Sequence, residues 1–196
     1  MVLYGASGHA KVVIDILEAN NVSIDYIVDD DCRISELLGY DVRHDCCMFD
    51  EVLVAIGACQ QRKKIVESIR AYKFPIAIHP SAIISPRARI NDGTVIMQGA
   101  IVQSCTSIGK HCVVNTGASV GHDVTLADYV HIAPRAVVTG NVKIGECSWI
   151  GAGAVIRQGI KIGSNCMIGA GAVVVKDVAD GDTVVGNPAR CIIRKI

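Results

Sequence analysis

The sequence lacks long hydrophobic runs and has few aromatic residues. Phe, Trp and Tyr make up 4% of the 196 residues, whereas 51% are hydrophobic, so the apolar content is mostly aliphatic. No apolar run approaches the ~18 residues that a membrane-spanning helix needs. The N-terminal segment has no basic stretch followed by a cleavage site. We therefore expect a cytoplasmic protein that is not inserted into a membrane.

Net charge and paired cysteine motifs are absent as well. The 19 Lys and Arg residues balance 19 Asp and Glu residues, and no basic cluster has the size of a nucleic-acid-binding surface. We expect no nucleic-acid partner. The 9 cysteines are odd in number, irregularly spaced and free of Cys-x-x-Cys motifs. This pattern indicates reduced thiols, most of them buried.

A repeat of six residues runs through the second half of the chain. Every sixth position from Ile78 to Val174 is Ile, Val or Leu, and the position four residues after each is mostly small. This period fits neither a helix nor a long strand, but it fits short strands joined by turns. Three strands would form a triangular coil of about 18 residues, and stacked coils would align the aliphatic side chains in one ladder. The sequence therefore predicts a parallel β-solenoid over residues 78–183.

Residues 1–77 instead alternate strand and helix patterns. Strands are predicted at residues 2–4, 24–28 and 52–56, and helices at residues 10–19 and 60–72. This order is typical of a small parallel sheet, and we expect a Rossmann-like βαβ subdomain. The triplet Arg62-Lys63-Lys64 on the second helix is predicted to be a solvated face without a functional role.

A Gly-Ala-Ser-Gly-His turn at residues 5–9 follows the first strand. Its backbone amides could approach a phosphate at the start of the helix, where the helix dipole favours negative charge. Asp29 and Asp30, at the end of the second strand, could accept hydrogen bonds from a ribose or a base. The spacing is Gly-x-x-Gly, so a tight turn without a ligand is the alternative. The short sheet favours a nucleotide-sugar over NAD.

His122 and Asp123 form the candidate catalytic pair of the solenoid. His122 lies two residues after the ladder position Val120, which places its side chain outside the core at a turn. Imidazole can act as a base near neutral pH, and a carboxylate can fix its tautomer. Neighbouring residues reach each other only at a bend, and a plain exposed histidine is the alternative. His111, His122 and His131 are not spaced one coil apart, so we expect no metal site.

In chain order, the motifs resemble those of one known family. Ile-Gly-x-x units with a small fifth residue are similar to hexapeptide-repeat acyltransferases, whose β-helix is left-handed. Across the whole chain the sequence resembles the NeuD family of sialic acid O-acetyltransferases, which includes the UDP-4-amino-sugar N-acetyltransferases of the bacillosamine and perosamine type. The residues that carry this resemblance are Gly5-Ala6-Ser7-Gly8-His9, Asp29-Asp30, Ile56-Gly57, His79-Pro80-Ser81-Ala82, Asn115-Thr116, His122-Asp123, His131 and residues 140–145 (Gly-Asn-Val-Lys-Ile-Gly).

The resemblance implies a homotrimeric, acetyl-CoA-dependent sugar N-acetyltransferase with a left-handed parallel β-helix. Residues 184–196, which contain Gly-Asn-Pro-Ala-Arg, would cap the last coil and approach the coenzyme. His122 would be the general base, supported by Asp123 and Asn115. The residues implied to bind acetyl-CoA are His131, Gly140, Ala152 and Ala170. Those implied to bind the nucleotide-sugar are Ser7, Gly8, His9, Asp29, Asp30 and Gly57.

The implied reaction is direct attack of the sugar amine on the thioester while both substrates are bound. O-acetylation of sialic acid or another sugar hydroxyl is the first alternative, because the same base would serve an alcohol. A non-catalytic, nucleotide-sugar-binding trimer is the second. A covalent acetyl-cysteine is a further possibility, but Cys112 and Cys166 occupy small corner positions, which favours a packing role.

Overall fold

The structure is a computed structural model that describes residues 1–44 and 48–193. The predicted cap over residues 184–196 therefore extends outside the described residues at its end. In the part of the chain that is described, no helix is long and apolar enough to cross a membrane.

The N-terminal part is a six-stranded sheet with one helix on each face. Helix α1 spans Gly8–Ala19 and α2 spans Cys59–Ser68. Apolar residues of α1 pack with Leu3 and Leu53, whereas Ile65 of α2 packs with Val2 and Val52, whose side chains point to the opposite face. The strands are β1 Val2–Tyr4, β2 Tyr26–Val28, β3 Glu36–Leu37, β4 Tyr40–Arg43, β5 Met48–Val54 and β6 Arg70–Lys73.

The strand order is β3-β4-β2-β1-β5-β6, and every neighbouring pair is parallel except the β3-β4 hairpin. This confirms the Rossmann-like prediction. The predicted end of the second helix is wrong, because α2 stops at Ser68 and Arg70–Lys73 form a strand. Strand β5 begins at Met48, earlier than predicted. Its first residues, Met48 and Phe49, pair with Arg70 and Ala71 of β6.

The second part is a left-handed parallel β-helix, as predicted. Its two-residue strands pair with strands 18 residues later, as Val95 does with Val113 and Val113 with His131. These strands are β7 Ala77–Ile78, β8 Ile83–Ile84, β9 Arg89–Ile90, β10 Val95–Ile96, β11 Ile101–Val102, β12 Ser107–Ile108, β13 Val113–Val114, β14 Ser119–Val120, β15 Thr125–Leu126, β16 His131–Ile132, β17 Val137–Val138, β18 Lys143–Ile144, β19 Trp149–Ile150, β20 Val155–Ile156, β21 Lys161–Ile162, β22 Met167–Ile168 and β23 Val173–Val174. Strands β24 Thr183–Val185 and β25 Arg190–Ile193 end the described chain as an antiparallel pair.

The interior of the β-helix is the predicted aliphatic ladder. Ladder residues from Ile96 onward are buried, whereas Ile78, Ile84 and Ile90 of the first coil are partly buried. Burial of each aliphatic side chain stabilises the folded state by about 1.5–3 kcal/mol. One corner column carries small polar residues that bond successive coils. The Ser148 hydroxyl, for example, donates to the Gly163 carbonyl at 2.6 Å and accepts from the Cys166 N–H at 3.0 Å.

The three faces of the prism differ in their outward side chains. On the domain face (β7, β10, β13, β16, β19, β22, β24 and β25), Ala77, Val95 and Val113 pack against the N-terminal part. The polar face (β9, β12, β15, β18 and β21) points Arg89, Ser107, Thr125, Lys143 and Lys161 outward. On the apolar face (β8, β11, β14, β17, β20 and β23), the side chains that point outward are those of Ile83, Ile101, Ser119, Val137, Val155 and Val173. Only Ser119 interrupts that apolar row.

Candidate active site

His122 lies at the corner between the apolar face and the polar face. The chain bends there because Asp123 adopts a positive φ of 59°, and the bend brings the two neighbouring side chains together. The Nδ1 atom of His122 lies 2.7 Å from Asp123 Oδ2, and both side chains are 59% exposed. A carboxylate only accepts, so Nδ1 carries the proton and Nε2 is left as the basic atom.

Gly140 lies one coil above His122 and supports the ring. A Cβ at residue 140 would come within 2.6 Å of both Cε1 and Nε2 of His122, so only glycine fits without moving the ring. The backbone N–H of Asn141 donates to the His122 carbonyl at 2.9 Å. The predicted coenzyme residue Gly140 therefore contacts the predicted base directly.

The glycine turn between β1 and α1 is built for a close approach. Gly5 has a φ of +114°, and a Cβ there would lie 2.8 Å from the Ile56 side chain. Gly8, by contrast, faces open space, since a Cβ at this residue would meet nothing within 4 Å. Ser7 is the N-cap residue of α1, but its side chain makes no capping hydrogen bond. The start of α1 therefore presents open backbone amides at the positive end of the helix dipole.

The two predicted acidic residues hold this turn in place. Asp29 Oδ2 accepts from the Ala6 N–H at 2.6 Å, and Asp29 Oδ1 accepts from the Asp31 N–H at 2.9 Å. The Tyr4 hydroxyl donates to Asp30 Oδ1 at 2.6 Å. Burial and the Asp30 carboxylate together raise the pKa of Tyr4. Both carboxylates thus fix the geometry of the turn, and their contact with a nucleoside stays a prediction.

The turn lies at the point where the order of the strands in the sheet reverses, between β1 and β5. From β1 the chain continues through α1 to β2, and from β5 it continues through α2 to β6 on the other side. Ligands of open α/β sheets bind in the crevice at such a switch point, beyond the carboxyl ends of the strands. Ser7, Gly8 and His9 follow β1, and Gly57 follows β5. The structure therefore brings these four predicted residues to one crevice.

His131 closes this crevice from the domain face. Its Nδ1 lies 2.9 Å from the Gly57 carbonyl, and its ring centroid lies 3.9 Å from that of Trp149 and 6.0 Å from that of His9. The side chain is only 2% exposed. Burial lowers the pKa of His131 to about 3, against the opposing effect of the Gly57 hydrogen bond, and the Arg62 charge lowers it further. Its contact with acetyl-CoA stays a prediction.

His9 is the second neutral imidazole of the crevice. Burial and the Arg62 charge lower the pKa of His9 to about 4. Its Nε2 is buried and has no hydrogen-bond partner among residues 1–44 and 48–193. Gly57 faces the same ring, since a Cβ at residue 57 would lie 3.6 Å from His9 Nδ1.

One expectation about a polar residue needs correction, and another stays a prediction. Within the chain, the amide Nδ2 of Asn115 lies 3.1 Å from His131 Nε2, and its support of His122 stays a prediction. Arg62 is 1% exposed and donates to four backbone carbonyls, so it is not part of a solvated face. A helical stripe at three-residue spacing, shared with the buried Cys59 and Ile65, is the sequence signal that could have placed it inside.

Ala152 and Ala170 lie at the corner between the domain face and the apolar face. Both are exposed and occupy equivalent positions in successive coils. This corner borders the apolar face on the edge opposite to His122. Within one chain, therefore, Gly140 accompanies His122, whereas Ala152 and Ala170 lie across the apolar face from them.

Two cysteines of the solenoid, Cys112 and Cys166, are buried. The Cys112 thiol donates to the Ala127 carbonyl at 3.1 Å, and burial raises its pKa to about 12. Cys166 donates to the Ala179 carbonyl at 3.0 Å, and burial raises its pKa too. Both therefore favour packing over nucleophilic chemistry.

Across the described ranges, no group of three or more His, Cys, Asp or Glu residues is placed to hold a metal ion.

Both parts of the chain match family models. Residues 1–69 match the PglD N-terminal domain, and residues 105–140 and 141–176 match the bacterial transferase hexapeptide. A variant of perosamine N-acetyltransferase from Caulobacter crescentus, solved with CoA and GDP-perosamine, is 33% identical with a TM-score of 0.90. The match covers 98% of this chain and 96% of that one. The chain belongs to the PglD-type family of hexapeptide-repeat sugar N-acetyltransferases.

Two further solved structures extend this PglD-type likeness. The acetyltransferase domain of PglB from Neisseria gonorrhoeae FA1090 is 39% identical, with a TM-score of 0.91 over 97% of this chain and 98% of that one. WeeI from Acinetobacter baumannii AYE is 31% identical, with a TM-score of 0.88 over 97% and 98%. Comparison with curated proteins finds no match. The family resemblance drawn from the sequence motifs is confirmed.

Proposed function

We propose that this PglD-type protein transfers the acetyl group of acetyl-CoA to the amino group of a nucleotide-linked amino sugar of the UDP-4-amino-sugar type. The observation that carries the proposal is the His122-Asp123 pair, whose free Nε2 lies beside Gly140 at an exposed corner. The perosamine N-acetyltransferase relative, which was solved with CoA and GDP-perosamine, supports the same two classes of substrate.

The chemistry is a direct attack with His122 as the general base. The amine nitrogen attacks the thioester carbon, and His122 Nε2 takes the amine proton as the tetrahedral centre forms. The carbon–sulfur bond then breaks, and the proton passes to the departing CoA thiolate. Asp123 accepts from Nδ1 throughout and stabilises the imidazolium. Because the amine attacks the thioester directly, no acyl-enzyme forms, and the proton that His122 removes returns to the thiol.

The apolar face supports a homotrimer. Ile83 is 66% exposed and Val137 36% exposed on this face, where aliphatic side chains form an almost continuous outward row. Contiguous apolar surface of this kind marks an interface. The other two faces differ, since one is covered by the N-terminal part and one is lined by polar side chains. Three copies packed by their apolar faces would bury it.

This assembly would complete the site between two chains. His122 borders the apolar face on one edge, and Ala152, Ala170 and the domain face lie beyond the other edge. Packing around a threefold axis would set the His122 edge of one chain against the opposite edge of the next. The nucleotide crevice at residues 1–77 of one chain would then serve the base in the 78–183 segment of its neighbour, with residues 184–196 near the coenzyme.

The test is thiol release from acetyl-CoA, with mass spectrometry of the acceptor, for the wild type and His122→Ala. The acceptor panel holds UDP- and GDP-linked amino sugars and free sialic acid. We expect one added acetyl group on a nucleotide amino sugar and its loss in the variant. Turnover of sialic acid alone would replace the proposal with O-acetylation, and binding without turnover would support a non-catalytic trimer.

A subunit-mixing experiment tests the shared site. His122→Ala lacks the base, and Gly8→Trp blocks the crevice of its own chain, so each homotrimer is expected to be inactive. Mixed trimers would hold some sites in which an intact crevice meets an intact His122. Recovery of activity on mixing supports the shared arrangement, whereas a mixture as inactive as its parents contradicts it.

A further inference from the structure

Arg62 is a buried cation without a carboxylate partner in the described parts of the chain. Its guanidinium instead donates to four backbone carbonyls. Nε donates to His111 O at 2.7 Å, Nη1 to Ile56 O and Gly57 O at 2.7 Å each, and Nη2 to Tyr129 O at 2.8 Å. A buried charge is costly unless it is well paired, so these four carbonyl dipoles stabilise it.

These four carbonyls belong to the two parts of the molecule. Ile56 and Gly57 lie in the loop between β5 and α2, at the nucleotide crevice. His111 and Tyr129 lie in successive coils, at the corner between the polar face and the domain face. One planar side chain therefore fixes the crevice loop to two coils of the β-helix.

The Gly57 carbonyl also binds His131. It lies 2.9 Å from His131 Nδ1, and a carbonyl only accepts, so Nδ1 carries the proton. On the other side of the ring, Asn115 Nδ2 lies 3.1 Å from Nε2. The Asn115 Oδ1 accepts from the Thr116 N–H at 2.8 Å, which orients the amide so that its NH₂ group faces His131. Nε2 is therefore an acceptor, and the ring is the neutral Nδ1–H tautomer.

We propose that Arg62 is a positioning residue that orients the Gly57 carbonyl, fixes His131 as the Nδ1–H tautomer and so holds the crevice loop against the β-helix. The ring state follows from the contacts alone. Only the catalytic consequence rests on the proposed function: a loop held in this way would keep the acceptor at a constant distance from the base.

The charge of Arg62 acts in the same direction as its hydrogen bonds. It lowers the pKa of His131 and that of His9, in addition to the larger effect of burial. A neutral His131 can donate from one nitrogen and accept at the other, as its two contacts require. A protonated ring would direct a second N–H at the Asn115 amide, which already donates to it.

Lysine cannot replace this arginine. Its single nitrogen carries three donors on a flexible stem, whereas the guanidinium presents five donors in a rigid plane. Arg62→Lys therefore keeps the positive charge but cannot donate hydrogen bonds to all four carbonyls at once. Arg62→Met also removes the charge and every hydrogen bond that Arg62 donates to those carbonyls, so it is the more destabilising variant. Lys64→Met is the matched control, because Lys64 is exposed on the same helix.

The first experiment is ¹⁵N NMR of the histidine rings in the full chain without substrates, with the His131 signals assigned by their loss in His131→Gln. We expect a single Nδ1–H tautomer in the wild type and in Lys64→Met. In folded Arg62→Lys we expect His131 shifts that average the two tautomers. Unchanged His131 shifts in folded Arg62→Lys would overturn the proposal.

The second experiment separates kcat from KM at equal concentrations of folded protein. Misplacement of the reacting groups lowers kcat, and we expect a loss of about tenfold or more in Arg62→Lys with a smaller change in the KM of acetyl-CoA. An Arg62 with a purely structural role would leave kcat per folded molecule unchanged. If the wild type turns over no acceptor while its NMR result stands, the proposed function fails and the positioning of His131 does not.

Discussion

Two histidines of one β-helix, one in a turn and one on a strand, show how environment divides their roles. His122 is 59% exposed at an outer corner, and its Nδ1 lies 2.7 Å from the Asp123 carboxylate. His131 is 2% exposed, bonds a carbonyl and an amide, and is held neutral by burial. The first environment leaves the Nε2 atom of His122 accessible to a substrate. The second suits a residue that keeps its protonation state and orients its neighbours.

The largest expected effect tests the catalytic half of this comparison. We expect His122→Ala to lower kcat by about 10²–10⁴-fold, because it removes the general base. Its melting temperature should stay close to that of the wild type, since the side chain is exposed and packs little. Steady-state kinetics and thermal melts of the same preparations provide the two measurements.

His131→Ala is the matched variant, and we expect the opposite pattern for stability. It leaves a cavity beside Trp149 and removes the hydrogen bonds of His131 to the Gly57 carbonyl and the Asn115 amide, so its melting temperature should fall by several degrees. The comparison breaks if His122→Ala is the variant that melts early, or if it retains full kcat.

A smaller effect is expected when the His122 ring is displaced rather than removed. In Gly140→Ala, the new Cβ would lie 2.6 Å from Cε1 and Nε2 of His122, so the ring must move. We expect a loss of about 10–100-fold in kcat, as for other misplaced catalytic groups. Gly140→Ala in the His122→Ala background is the control. It should cost no further activity, and an additive loss would show that Gly140 acts independently of the ring.

The buried histidines should make stability fall in acid. Burial lowers the pKa of His111 from 6.5 to about 4, and the Arg62 charge adds to this effect. As pH falls below 6.5, the unfolded chain binds a proton that the folded chain does not. The contribution of each such histidine to the free energy of unfolding is therefore fully present above about pH 6.5. It is lost progressively towards pH 4, by up to about 1.4 kcal/mol per pH unit.

His111→Gln tests this linkage, because it removes one of the three imidazoles whose pKa is lowered by burial. We expect its free energy of unfolding, measured by denaturant titration between pH 7 and pH 5, to fall less steeply than that of the wild type. Parallel curves for the two proteins would contradict the assignment. The His111 carbonyl that accepts from Arg62 is kept in this variant.

The sequence predicted what depends on local period, and missed what depends on contacts with elements distant in the chain. The ladder from Ile78 to Val174 follows from burial every six residues, and the bend at Asp123 follows from its corner position. Arg62 was misplaced because its partners lie on other elements, since it donates to carbonyls in two coils of the β-helix. The end of α2 was missed for the same reason, since Arg70 pairs with a strand edge.

The smallest expected effect concerns Gly8, which lies in the crevice that His131 borders. A Cβ at Gly8 meets nothing within 4 Å, so Gly8→Ala fits the folded chain without strain. Alanine also forms helices better than glycine, by up to about 1 kcal/mol, and the melting temperature should stay equal or rise. If a phosphate lies against the start of α1, the added methyl group obstructs it, and the KM of the nucleotide-sugar should rise several-fold while that of acetyl-CoA stays constant. An unchanged KM for both substrates would place the phosphate elsewhere and leave residues 5–9 as a plain strand-to-helix turn.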